Sequence, residues 1–204
     1  MAEAFATAPI DVDRLREEVK LKYRDVATDP TKGFHFHTGR PLAKMLDYPM
    51  ALVDVLPDQV VESFAGVNNP FSMGELRTGE RVLDIGSGAG FDSVLAAQMV
   101  GPDGHVTGVD MTPEMRDKAT ANAARMGLDN LKFVDGLAES LPVADSSIDV
   151  VISNGVINLC DDKVAVYKEI HRVLKPGGRL QIADVVVQKP LSDEIVHDIG
   201  LRTG

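Results

Sequence analysis

The sequence contains one cysteine, Cys160, in 204 residues. A single thiol can neither close an internal disulfide nor build a multi-thiolate metal site. Long apolar runs are missing too; none approaches the roughly 18 residues needed to span a bilayer. The start, MAEAFATAPIDVDRLREEV, has no basic region leading into an apolar stretch, so it does not read as a signal peptide. Positive charge is scarce: 21 Lys and Arg stand against 31 Asp and Glu, for a net charge of -10. Such a surface repels phosphate backbones and anionic lipid, which argues against nucleic acid and membrane partners. The expected partner is a small molecule or something cationic, although the acidity also serves plain solubility. Together these absences lead to the expectation of a cytoplasmic protein. Internal repeats and low-complexity tracts are absent as well.

What is present is the composition of a folded protein, with 44% hydrophobic and 25% charged residues, so a core is expected. The length fits a single domain over 1–204. Residues 1–78 have a helical, irregular texture. Val12, Leu15, Val19, Tyr23 and Val26 fall at helical spacing, and Gly33, Gly39, Pro41, Pro49, Pro57, Gly66 and Pro70 then break the chain into short segments. From residue 79 the pattern becomes regular. Five apolar runs follow: RVLDIG (81–86), HVTGVD (105–110), LKFVDG (131–136), IDVVISN (148–154) and RLQIADVVV (179–187). Between the second and third, Thr112 can cap a helix that Pro113 opens and Gly127 stops, with Met115, Ala119, Ala123 and Met126 as its stripe. Between the fourth and fifth, Asp161 or Asp162 can cap a helix carrying Val164, Tyr167, His171 and Leu174, closed by Pro176-Gly177-Gly178. Apolar strands alternating with helices predict a doubly wound, mostly parallel α/β sheet.

The first run ends in Asp84-Ile85-Gly86-Ser87-Gly88-Ala89-Gly90, followed directly by the apolar stretch Phe91 to Val100. Glycines at the carboxyl end of such a strand let backbone approach a ligand. The spacing is G-x-G-x-G. A dinucleotide site wants G-x-G-x-x-G, and both possible frames place another residue, Phe91 or Ser93, at the last position. The phosphate-loop lysine is absent too. This disfavours a nicotinamide cofactor without excluding it. Asp110 closes the second run, where a carboxylate can accept both hydroxyls of a ribose. Capping the helix near Pro113 is the structural alternative for the same carboxylate.

The strings VLDIGSGAGFD, GVDMTPEM, ESLPVADSSIDVVISN and HRVLKPGG resemble class I S-adenosylmethionine-dependent methyltransferases over residues 79–187. GSGAGFDSVLAA, GVDMTPEM and SNGVINL bring the arsenite methyltransferase branch nearest. The resemblance implies a Rossmann-like core over 79–189 that binds S-adenosyl-L-methionine, with S-adenosyl-L-homocysteine as product. Residues 1–78 would then be a cap carrying the substrate side, and 190–204 a short tail. It further implies that Gly86, Ser87, Gly88 and Gly90 line the methionine part of the cofactor. Asp84 would buttress that loop, Asp110 hold the ribose and Met111 lie against adenine. Gly136, Leu137, Ala138 and Glu139 would border the adenine edge, and Asn154 would stand near the methyl group.

The departures point to function as well. Arsenic is held by cysteine thiolates in that branch, as a soft metalloid requires. This chain has Gly155 and Val67 at two of those positions, so arsenite is not the expected acceptor. Candidate catalytic residues are Asn154 and the histidines of Phe34-His35-Phe36-His37. In extended backbone, His35 and His37 would share one face. The alternative is a loop anchored by its phenylalanines. No carboxylate partner suggests itself for the two histidines, so no metal site is expected. Likewise Asn68-Asn69-Pro70 reads equally as a contact for the methionine end and as a plain turn. The family sheet continues beyond the fifth strand by two more strands that this chain leaves no room for. An apolar edge over 181–187 is therefore expected, covered by a second copy of the chain or by N-terminal residues. The expected function is methyl transfer to a small molecule. A non-catalytic module that binds S-adenosylmethionine or S-adenosylhomocysteine is the alternative, with arsenite methylation and nicotinamide-dependent oxidoreduction behind it.

Overall fold

The computed structural model describes residues 11–30, 32, 34 and 36–186. Among them, β1 (Arg81–Ile85), β2 (His105–Asp110), β3 (Leu131–Asp135), β4 (Ile148–Asn154) and β5 (Leu174–Ala183) form one sheet in the order β3-β2-β1-β4-β5. Every pairing is parallel. Parallel neighbours need crossovers, and α5 (Phe91–Val100), α6 (Pro113–Arg125) and α7 (Lys163–Val173) supply three of them. Four helices precede the sheet: α1 (Val12–Thr28), α2 (Gly39–Met45), α3 (Met50–Val53) and α4 (Asp58–Val61). The doubly wound architecture expected from the sequence is the one that forms. No helix among the described residues is long and apolar enough to cross a membrane.

Each helix follows from its residues. Asp11 caps α1 by accepting the Arg14 N–H at 3.1 Å, and Leu15, Val19 and Val26 are buried along one side. By contrast α5 is apolar nearly all round and buried except at Gln98 and Met99, because it lies between the sheet and the N-terminal segment. Pro113 opens α6 as expected. Thr112 takes the cap position there, but its side chain makes no capping bond; Asp110 Oδ1 accepts the Thr112 N–H instead, at 2.8 Å.

Two expectations need correction. In α7, Val164 and Tyr167 are exposed, and Val166, Ile170 and Val173 form the buried stripe. Asp162 fixes this phase by accepting the Ala165 N–H at 2.8 Å, leaving Val166 one residue further on against the sheet. The fifth strand spans 174–183 rather than 179–187. Leu174 already pairs with Ile148 and Arg179 with Val150, so Pro176-Gly177-Gly178 is a bulge inside the strand, not a stop before it. Beyond Ala183 the chain turns, and Asp184 accepts the Asn158 N–H at 3.1 Å and the Val185 N–H at 2.7 Å. β5 is the edge of the sheet, with Leu180 exposed on it and Val185 and Val186 exposed just after it. Residue 187 of the expected apolar edge lies outside the described residues.

The sheet is covered on both faces. Val82, Val106, Val150 and Ile152 pack under α5 and the short N-terminal helices, while Leu83, Ile85, Val109 and Val151 pack under α7. A third cluster joins Val26 and Ala27 of α1 to Ala89 and Met115, which seats α1 across the carboxyl ends of the strands. Gly90 sits where these layers meet. Its φ is +88°, and an added Cβ would lie 2.8 Å from Phe133 Cζ and 3.2 Å from Ala119 Cβ. Gly90→Ala is therefore expected to destabilise the fold by about 3 kcal/mol, combining left-handed strain with overpacking. Urea unfolding measures it, and a loss well under about 1 kcal/mol would contradict the account.

Candidate functional site

Strand order reverses between β1 and β4, and in open α/β sheets a ligand crevice forms at that point, beyond the carboxyl ends of the strands. An open cleft of about 1150 Å³, counted to its mouth, lies there. Its floor is the loop after β1, which β2 holds in place. The Gly86 and Ser87 N–H groups donate to Val109 O at 2.8 and 3.0 Å, and the Gly88 N–H donates to Asp110 Oδ2 at 2.8 Å. At Gly88 (φ +52°) an added Cβ would find only Met115 Sδ, at 4.0 Å, so bare backbone is open to the cleft. Asp84, Gly86, Ser87, Gly88, Asp110, Met111, Leu137, Ala138 and Asn154 all line the cleft.

Gly90 does not line it. Its lack of a side chain makes room for Phe133 and Ala119, so it serves packing and the start of α5 rather than a ligand. Ser87 lines the cleft, yet its buried hydroxyl has no hydrogen-bond partner and lies 2.8 Å from where a Cβ on Gly108 would sit, against β2. Of the two candidate catalytic histidines, only His37 is described, and it is not brought to the site. His37 is exposed and off the cleft wall, and His35 lies outside the described residues. Asn69 and Pro70 follow the turn alternative: Asn69 Oδ1 accepts the Phe71 N–H at 3.0 Å and opens a short 3-10 turn.

Asn154 faces the cleft with both ends of its amide engaged. Oδ1 accepts the Val67 and Asn68 N–H groups at 2.8 and 3.2 Å. Nδ2 lies 2.8 Å from Asn68 O, 3.0 Å from the Tyr48 hydroxyl and 3.0 Å from Asp92 Oδ2. Tyr48 in turn donates to Asp92 Oδ1 at 2.7 Å. A group this saturated positions its neighbours and does not react. The network ties the end of β4, segment 67–68 and the first turn of α5 into one wall. Neither Tyr48 nor Asp92 was singled out from the sequence. The one available signal was a lone acid at the head of the otherwise apolar Phe91–Val100.

The electrostatics are one-sided. Asp84 is buried, and its Oδ2 accepts the Ser93 hydroxyl at 2.6 Å. Asp92 is buried too, near enough for its charge to act on Asp84. Among the described residues neither has a Lys or Arg within ion-pair distance; every partner is neutral. Burial first, then the neighbouring Asp92 charge, pushes Asp84 up from the ordinary carboxylate range, and burial pushes Asp92 up as well. Burial also raises Asp110, against two backbone N–H donors that favour its charge. Among the described residues the only Lys or Arg on the wall is Arg16, and Glu139 holds it at 3.3 Å. This corner attracts cations and repels anions.

A roof closes the cleft. Val12, Leu15, Arg16, Val19 and Tyr23, all from one side of α1, line it opposite the glycine loop. Burial, aided by Asp110 and Asp184, pushes the Tyr23 hydroxyl up to about 12, so it is a neutral donor at physiological pH. The Arg16–Glu139 contact bridges roof and floor, with both side chains partly solvated. Exposed pairs of this kind contribute little, so Arg16→Ala is expected to change unfolding free energy by less than about 1 kcal/mol. A thermal or urea melt checks it.

The raised carboxylates have a pH signature. A folded pKa above the unfolded value near 3.9 means stability is fully present below that value and is lost as pH rises through the folded pKa. A bound cation reverses this by favouring the charged form. Affinity for a cationic ligand should therefore rise from about pH 6 to about pH 8, the values toward which Asp92 and Asp84 are pushed, with protons released on binding. Calorimetry in two buffers of different ionisation heat reads this release. Proton uptake instead of release would overturn the assignment.

Comparison with known proteins converges on one group. The family of methyltransferase domains matches residues 76–200. A curated relative from Halobacterium salinarum, named arsenite methyltransferase, is 52% identical over 68% of this chain and 36% of its own length. The crystal structure of an arsenic(III) S-adenosylmethionine methyltransferase from Chlamydomonas reinhardtii is 41% identical, with a TM-score of 0.68, over 74% of this chain and 53% of that one. A SAM-dependent methyltransferase from Aquifex aeolicus superposes with a TM-score of 0.55 at 26% identity, covering 85% of each chain. The chain spans little more than a third of the length of the first curated relatives it matches.

Proposed function

This chain belongs to the methyltransferase-domain family, and we propose that it transfers a methyl group from S-adenosylmethionine to a small organic molecule. The observation that carries the reading is the cleft at the strand-order reversal, whose floor is bare backbone and whose buried Asp84 and Asp92 have no Lys or Arg partner among the described residues. S-adenosylmethionine carries an ammonium and a sulfonium, so the donor set fits the cofactor's charge. When bound, the cofactor supplies an activated methyl group on a positive sulfur.

The protein's part is to bind, orient and exclude water. Asp110 keeps a lone-pair site free on each oxygen after accepting from Gly88 and Thr112, enough for two ribose hydroxyls. Met111, Leu137 and Ala138 offer apolar faces for a purine. Asp84, on the cleft wall, would hold the cofactor's cationic end. α1 lies over the cleft and shields it from water. Orientation alone can supply several kcal/mol of rate enhancement, so the absence of His37 from the wall is no obstacle to this chemistry.

Arsenite, the acceptor in the relatives' names, is the second reading, favoured by the 52% identity. The thiols weigh against it. Cys160 is the one cysteine, and burial pushes its thiol up to about 12, away from the thiolate that a soft metalloid needs. Methyl transfer should be assayed with a panel of small acceptors that includes arsenite, alongside calorimetry with S-adenosylmethionine, S-adenosylhomocysteine and NAD. Binding of the first two with turnover of an organic acceptor is the expected result. Binding without any turnover would favour a non-catalytic module, and preference for NAD would reject the family's chemistry here.

A further inference from the structure

The network around Asp92 lies on the wall of the cleft. It lies near enough to Asp84 for the two charges to interact, is tied through Asn154 to residues 67–68, and includes Tyr48, whose ring packs on Phe64 and Phe91. Phe64 and Phe91 have centroids 4.3 Å apart, and both line the cleft next to Asp92. Asp92 is buried, yet each of its oxygens accepts a single hydrogen bond, from Tyr48 at 2.7 Å and Asn154 at 3.0 Å. A carboxylate has about four lone-pair sites, so half remain for a ligand. Charge then selects the ligand. Three carboxylates share the cleft, Asp84 and Asp92 buried and Asp110 part-buried, while among the described residues its one Lys or Arg side chain is matched by Glu139. S-adenosylmethionine brings a net charge of only one, so the loaded cleft is still negative. A carboxylate or phosphate on the acceptor would meet repulsion, with no unmatched Lys or Arg on the wall among the described residues to hold it.

We propose that the methyl acceptor is a small amine, held as its ammonium by Asp92 against the rings of Phe64 and Phe91. This rests on the methyltransferase reading above. A carboxylate beside aromatic faces is a chemically suited ammonium site, combining a charge-assisted hydrogen bond with cation–π attraction. An ammonium nitrogen has no lone pair. One N–H bond must therefore break, its electron pair staying on nitrogen and its proton passing to an oxygen of Asp92, before the nitrogen can act as a nucleophile. Tyr48 is a positioning residue for this step, because its hydroxyl fixes the carboxylate from behind.

The test uses protein loaded with S-adenosylhomocysteine and three probes on one frame: benzylamine, benzyl alcohol and benzoate. Calorimetry should show benzylamine binding at least about tenfold more tightly than benzyl alcohol, with benzoate weakest. Asp92→Asn should erase the advantage of the amine over the alcohol while S-adenosylhomocysteine still binds. Tyr48→Phe should reduce that advantage part-way, which keeps the test open if the first variant does not fold. Equal binding of amine and alcohol to the wild-type protein overturns the proposal, as does an amine preference that survives Asp92→Asn. Loss of S-adenosylhomocysteine binding in a folded Asp92→Asn protein overturns it too, since the carboxylate would then belong to the cofactor's half. A wild-type protein that fails to bind S-adenosylhomocysteine sinks the underlying methyltransferase reading instead.

Discussion

Asp110→Ala is expected to weaken S-adenosylmethionine binding at least about 100-fold while leaving the fold nearly as stable as before. The affinity loss follows from two hydrogen bonds to a charged acceptor, each worth about 1.5–3 kcal/mol, that the ribose hydroxyls would no longer make. The same substitution takes the acceptor from the Gly88 N–H, 2.8 Å away, so the floor of the cleft loosens where bare backbone meets the ligand. Stability behaves differently. Burial holds the Asp110 carboxyl above its ordinary pKa, so its removal relieves a desolvation cost that offsets the two backbone N–H groups left behind. Calorimetry and a urea melt on the same preparation separate the two effects. Unchanged affinity for S-adenosylmethionine would refute the ribose role, and Asp110→Asn should fall between the two proteins.

The second large effect is on the fold. Asn154→Ala should cost about 3 kcal/mol, since it strips partners from the Val67 and Asn68 N–H groups, Asn68 O, the Tyr48 hydroxyl and Asp92. Asn154→Asp is the sharper experiment. It preserves the shape but replaces a donor, 3.0 Å from Asp92 Oδ2, with a second carboxylate. Two carboxylates that close cannot both ionise, so one is forced to take up a proton. The folded pKa of the pair then lies above the unfolded value, and stability must fall as pH rises through neutrality. Melts across that range should show Asn154→Asp losing stability toward alkaline pH more steeply than the wild-type protein. A flat difference would mean the amide is not the joint described here.

Much of this arrangement could be read along the chain because it is local. Asp84 through Gly90 is one turn leaving one strand, and Asp110 ends the next strand. The glycines, the apolar runs and the Pro113 helix start each depend on neighbours within a few residues. Even so, local reading misplaced what depends on partners. Val164 and Tyr167 match a helical stripe as well as Val166 and Ile170 do, and only the Asp162 cap and the sheet below decide which pair is buried. The Pro-Gly-Gly of residues 176–178 has the composition of a stop, yet Leu174 finds Ile148 across β4 and the strand begins early. Gly90 matched a ligand motif, while the space it leaves is taken up by Phe133, a residue of β3.

The sequence alone determined the layered sheet, the glycine floor after β1 and the acid after β2, since periodicity and turn chemistry act over short distances. Tertiary structure alone decided the character of the cleft. Tyr48 and Asn154 are 106 residues apart, Asp92 and Asn154 are 62, and Arg16 and Glu139 are 123. Whether a carboxylate meets a cation, an amide or only apolar wall is settled by such encounters, and no pattern along the chain encodes them.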